Sequence, residues 1–112
     1  MLVFCILRAT IGHMKYIIEK TPTFDKWLSK LKDKVALRSI MMRIVRAENG
    51  NLGDVKSVGA PVQEMRIFVS KGYRIYFTIR GDKIVLLLNG GHKGTQQQDI
   101  DKAHELLAEM ED

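Results

Sequence analysis

One cysteine and two prolines are all that 112 residues contain of either type, and no apolar run is long. The single Cys5 excludes an internal disulfide, which suits a reducing cytosol, so a cytoplasmic protein is expected. A membrane span needs ~18 consecutive apolar residues, and no stretch approaches that. Three scattered histidines (His13, His92 and His104) and one cysteine make no metal-ligand spacing, so neither metal nor other cofactor is expected. Linkers, repeats and low-complexity segments are also missing. What remains is ordinary for one globular domain: 46% apolar and 28% charged residues.

Acidic residues are sparse until the end. Residues 99–112 hold six acids against Lys102, a net of −5, whereas residues 1–98 hold 17 bases and 7 acids, a net of +10. A body that basic attracts polyanions, nucleic acid first, although a merely solubilising surface would have the same composition. The opening "MLVFCILRATIGH" is apolar, but its charge follows the short run and no A-x-A site appears, which argues against a signal peptide. Because Met14 begins what reads as a full domain, residues 1–13 are expected to be an extension from an upstream start, with an added edge strand as the alternative. Residues 14–112 form the domain.

Periodicity predicts the order β-α-α-β-β-β-α. Lys15 to Glu19 reads as a strand. Thr21 caps a helix with Pro22 at its first position, and Phe24, Trp27, Leu28 and Leu31 form its buried stripe. Asp33 caps a second helix with Leu37, Ile40, Met41, Ile44 and Val45 inward, ended by Asn49-Gly50. Lys34, Arg38, Arg43 and Arg46 lie off that stripe, as a solvated face or as phosphate contacts. "GNLGDVKSVGAP" reads as a loop. Strands follow at Val62–Val69, Tyr73–Arg80 and Lys83–Asn89, joined by Ser70-Lys71-Gly72 and by Gly81-Asp82. Thr95-Gln96-Gln97-Gln98 reads as a capping box, T-x-x-Q, for a last helix with Ile100, Ala103, Leu107 and Met110 inward. The expected fold class is α+β, a small antiparallel sheet packed on helices.

Loop lengths predict register: Arg80 opposite Lys83, Tyr76 opposite Leu87, Arg74 opposite Asn89, and Arg66 opposite Tyr76. One parity is then core: Met65, Ile67, Ile75, Phe77, Ile79, Ile84, Leu86 and Leu88. The other is an open face carrying Glu64, Arg66, Arg74, Tyr76 and Asn89. Any half-wet sheet alternates this way. The residue types point further: arginine forks match phosphate oxygens, and an aromatic ring can stack on a base. Gly90-Gly91-His92-Lys93-Gly94 adjoins that face, where glycines would let backbone N–H groups approach an anion beside a helix N-terminus. Arg80, Lys71 and Asn89 are further candidate RNA contacts.

From Met14 onward the chain resembles the RelE/ParE toxin superfamily, specifically its phage-derived, HigB-like addiction-module killer branch. The resemblance rests on "FDKWLSKLKD" (24–33), "EMRI" (64–67), "GYRIYF" (72–77), "LLLNGGHKGTQ" (86–96) and "DI" (99–100), in order. It implies the toxin of a bacterial toxin–antitoxin pair that cuts mRNA on the ribosome without a metal, by attack of a ribose 2′-OH on the adjacent phosphodiester. It implies Arg74 as phosphate clamp, Arg66 as a second cation and Lys93 as phosphate contact and proton donor. The acid/base falls to His92 or Tyr76. His92 stands where relatives in this branch commonly carry an acid, which is a departure. The implied partners are a helix-turn-helix antitoxin, the ribosome and mRNA. Two other readings stay open: a ParE-like inhibitor of DNA gyrase, and an RNA-binding relative that cuts nothing.

Overall fold

Five strands and three helices follow from this sequence in a computed structural model that describes residues 15–111. The expected extension, residues 1–13, lies outside the described residues. The strands are β1 (Ile17–Lys20), β2 (Val55–Ser57), β3 (Gln63–Ile67), β4 (Tyr73–Arg80) and β5 (Ile84–His92). The helices are α1 (Pro22–Ser29), α2 (Lys34–Glu48) and α3 (Gln96–Glu111), with a 3-10 turn at Lys93–Thr95. The sheet order is β1-β5-β4-β3-β2, antiparallel except for the β1–β5 pair. The α+β class is therefore as expected. The loop before Val62 also contributes a short edge strand, β2, which three residues were too few to announce.

Local chemistry explains the helix starts. Thr21 Oγ1 accepts from Phe24 N–H at 3.0 Å and donates to the Leu88 carbonyl, so one buried hydroxyl caps α1 and ties it to β5. Asp33 caps α2 by accepting from Ala36 N–H at 3.0 Å, and Gly50 follows its end at φ 93°. The predicted α2 stripe is rotated, however. Ala36, Ile40 and Ala47 are buried and Ile44 is half-buried, while Met41, Met42 and Val45 face outward. Two alanines let that side of the helix lie close to the sheet, and the larger side chains are left outside. Met110, also expected inward, is exposed near the end of α3.

Register departs from the expectation in both hairpins. At the first, Arg66 faces Arg74 and Glu64 faces Tyr76, because the loop spans 68–72 and β3 stops at Ile67. At the second, Gly81 and Asp82 do turn with positive φ, but Arg80 pairs with Ile84. A bulge between Tyr76 and Phe77 then sets Tyr76 opposite Asn89 and Arg74 opposite Gly91. A one-residue slip exchanges faces, so Val85 and Leu87 join Met65, Ile75 and Phe77 over α1 and α2, while Leu86 and Leu88 turn the other way. That second face is not open. α3 covers it, packing Ala103 and Leu107 on Val62, Tyr76, Leu86 and Leu88. Burial on both sides is why β5 reads as an unbroken apolar run.

Candidate functional site: a basic cleft at the β3–β4 tip

A two-sided sheet leaves few places for chemistry, and the strand ends beyond α3 supply one. Arg66, Phe68, Lys71, Gly72, Arg74 and Lys93 line a cleft of about 350 Å³ around the β3–β4 loop. Gly72, at φ 74°, closes that loop by donating to the Val69 carbonyl at 2.9 Å. A Cβ placed on it would meet Arg74 Nη1 at 3.6 Å and Lys93 Cβ at 3.7 Å, so these two cations flank one glycine. Arg66, Lys71, Arg74 and Lys93 thus share the lining of one cleft.

Arg74 is held from below. Its Nη1 donates to the Gly72 carbonyl at 2.9 Å, and its Nε lies 3.3 Å from Glu64 Oε2, an ion pair too poorly aligned to be a hydrogen bond. Glu64 is wholly buried, and its Oε2 also accepts from Gln96 Nε2 at 2.7 Å and from the Tyr76 hydroxyl at 3.2 Å. A carboxylate so enclosed fixes the guanidinium it faces, since parting them would strand a charge out of water. Arg66 is more loosely held: its Nη2 donates to Asp54 Oδ1 at 3.0 Å, both side chains being partly exposed. Arg43, read as solvated or phosphate-binding, does neither. Its guanidinium donates to the carbonyls of Arg66 and Leu52 at 2.6 and 2.9 Å, bracing the strand behind Arg66.

The remaining expected residues are placed elsewhere. Tyr76 is buried under α3, not displayed on an open face, because α3 seals the sheet there. Burial pushes its phenol well above the usual value, and the charge and hydrogen bond of Glu64 push the same way. Asn89 is buried too, its Nδ2 donating to the Asp99 carbonyl at 3.0 Å. Arg80 stands exposed at the other end of β4, six residues from Arg74 and therefore about 20 Å away. His92 precedes Lys93 but caps the 3-10 turn, its Nδ1 accepting from Gly94 N–H at 3.0 Å. The capping box accordingly runs from His92 to Thr95, one turn before the expected T-x-x-Q.

Gly90 and Gly91 make no anion nest either. They lie inside β5, where an added Cβ would fall 2.4 Å from the Trp27 ring on one face and 1.8 Å from Asp99 on the other. Close packing demands them. Asp99, so enclosed, has its carboxyl raised by burial, with Thr95 and His92 opposing. Asp54 and Phe68 were not singled out from the sequence. Phe68 had a legible signal, an aromatic on the same strand parity as Arg66 and Arg74. Among the described residues no group of three or more His, Cys, Asp or Glu side chains could hold a metal.

A basic cleft at one end of a five-stranded sheet wrapped by three helices defines a small RelE-like α+β protein. The E. coli toxin RelE, in a mutant form solved in the free state, superposes with a TM-score of 0.64 at 16% identity, over 82% of this chain and 97% of RelE. The intact E. coli RelBE toxin–antitoxin complex contains a chain matching with a TM-score of 0.57 at 21% identity, over 69% of this chain and 95% of that one. A Haemophilus influenzae protein of uncharacterised role is 46% identical over 93 residues, 83% of this chain and 94% of its own length. The profile of the phage-derived Gp49-like proteins (DUF891) matches residues 26–109, and the chain belongs to that family.

Proposed function

We propose that the chain is the toxin of a type II toxin–antitoxin pair, a cytoplasmic endoribonuclease that cuts mRNA on the ribosome without a metal. The observation that carries this reading is the cleft itself. Arg74, locked by a buried carboxylate, stands beside Lys93 with Arg66 and Lys71 on the same rim. In the reaction a ribose 2′-oxygen attacks the adjacent phosphorus and loses its proton to water or to a ribosomal group, the bond to the 5′-oxygen breaks, and that oxygen takes up a proton. The products are a 2′,3′-cyclic phosphate and a 5′-hydroxyl. Arg74 and Arg66 neutralise the charge that grows on the phosphorane oxygens. Lys93 contacts the phosphate and donates to the leaving oxygen. His92, next to Lys93 in the chain, has its Nδ1 occupied as an acceptor, which leaves Nε2 as its free proton-carrying atom. Tyr76 takes no part in proton transfer and acts only through Glu64.

A cleft rich in cations and poor in bases favours a dependent enzyme, one that needs the ribosome to align the attacking hydroxyl. The same poverty supports a second reading, a relative that binds RNA without cutting it. The antitoxin is expected to be a helix-turn-helix protein. The two readings separate when the chain is induced in a bacterium and new mRNA 5′ ends are mapped. Cuts inside translated frames that disappear in Arg74→Lys support the nuclease; arrested translation over intact message supports the binder. DNA damage with intact message would instead point to gyrase and overturn both.

A further inference from the structure

Phe68 is 78% exposed, the most exposed large apolar side chain among the described residues, and it lines the cleft. Nothing in the packing requires it there. Ile67 and Val69 on either side turn into the core, and backbone bonds from Val69 N–H to Ile67 and from Gly72 N–H to Val69, both 2.9 Å, hold the loop. The loop therefore presents the ring outward. The Arg66 guanidinium lies over the ring, 5.7 Å from its centroid, inside cation–π range. One side of the rim thus combines a phosphate-binding cation with an aromatic face, and Arg74 and Lys93 lie across Gly72.

We infer that Phe68 is a base-stacking subsite, taking an unpaired nucleobase next to the phosphate held by Arg66, Arg74 and Lys93. The inference rests on the RNA reading above. An exposed ring in water is poorly solvated, whereas a base laid on it covers one apolar face of each partner; stacking of this kind is worth roughly 1–3 kcal/mol per base and tolerates any base. A duplex cannot use such a platform, because its bases are already stacked on one another. The subsite therefore selects single-stranded RNA, and it does so by shape instead of by hydrogen-bond pattern.

The test compares two probes on the intact chain at fixed low salt: a 2′-O-methyl hexanucleotide, which cannot be cleaved, and an abasic oligomer with the same number of phosphates. The wild type should bind the base-bearing probe about 5- to 150-fold more tightly, the equivalent of that stacking range. Phe68→Ala and Phe68→Leu should reduce this ratio to about one while leaving abasic affinity unchanged, and Phe68→Trp should keep the ratio. Arg74→Lys should weaken both probes together. Equal wild-type affinity for the two probes overturns the stacking subsite and leaves the phosphate cleft standing. A Phe68 variant that weakens both probes equally also overturns it, assigning the ring to the shape of the cleft or to a protein partner. Failure of the wild type to bind either probe overturns the RNA reading and the subsite together.

Discussion

The pair Glu64–Arg74 is the residue-scale fact on which the site depends. Arg74 is 12% exposed at its side chain and Glu64 not at all, so removing either partner leaves the other charge stranded. Glu64→Ala should cost about 3–5 kcal/mol, read as a fall in the denaturation midpoint. For activity, Arg74→Lys is the cleaner variant, since it keeps a cation near Glu64 but loses the fork that reaches both Glu64 and Gly72. Message cleavage should fall by roughly 10²- to 10³-fold, the loss typical of a missing charge-stabilising donor. Tyr76→Phe makes the opposite case. Its hydroxyl donates to Glu64 at 3.2 Å and faces no solvent. Cleavage should stay within about threefold of wild type while stability drops by about 1 kcal/mol. A collapse of cleavage in a folded Tyr76→Phe chain would restore the tyrosine as acid or base.

At the scale of elements, Thr21 and the paired glycines decide how closely helices meet β5. Thr21→Val keeps the shape but removes the cap and the bond to Leu88; a loss of about 1–2 kcal/mol is expected by chemical denaturation. Gly91→Ala drives a methyl into Asp99 and should loosen the start of α3, measured as faster amide exchange over Gln96–Ala103. Here too lies the measure of what the sequence made legible. Helix starts were readable because caps are local: Thr21, Asp33 and Pro22 announce themselves within four residues. Four of the five strands and the class were readable from apolar runs bounded by turn residues, β2 being too short to show. Faces were not, because they depend on where a bulge falls, and the extra residue opposite Tyr76/Phe77 carries no signature in "YRIYFTIR". Tyr76 and Asn89 were expected in the open for another reason: the strand pattern does not say that α3 lies over their face. Arg66 and Arg74 kept their shared side because their hairpin slipped by two, which preserves parity. Membership in the Gp49-like family, legible in the motifs from residue 24 onward, matches the profile over 26–109.

For the whole molecule, two buried or half-enclosed phenols set an alkaline limit. Tyr76 is raised by burial and by Glu64, and Tyr73 by burial and by the charge of Asp33. Both stay protonated in the fold at a pH where an unfolded tyrosine, titrating near ~10, has begun to ionise. Across that window the native state binds more protons than the unfolded one, so stability falls as pH rises above about 10, and below it the two phenols add no pH dependence. A thermal series from pH 8 to 12 should show the decline, and Tyr76→Phe should lessen its slope. The parallel pair β1–β5 has a different consequence. Ile17 finds Ile84, so a strand made at the outset waits for one made 67 residues later. During synthesis the chain can form its first helices early, but the sheet stays unfinished until the segment through His92 has left the ribosomal tunnel. Lys93 follows directly, so the basic cleft is completed only after that segment has emerged.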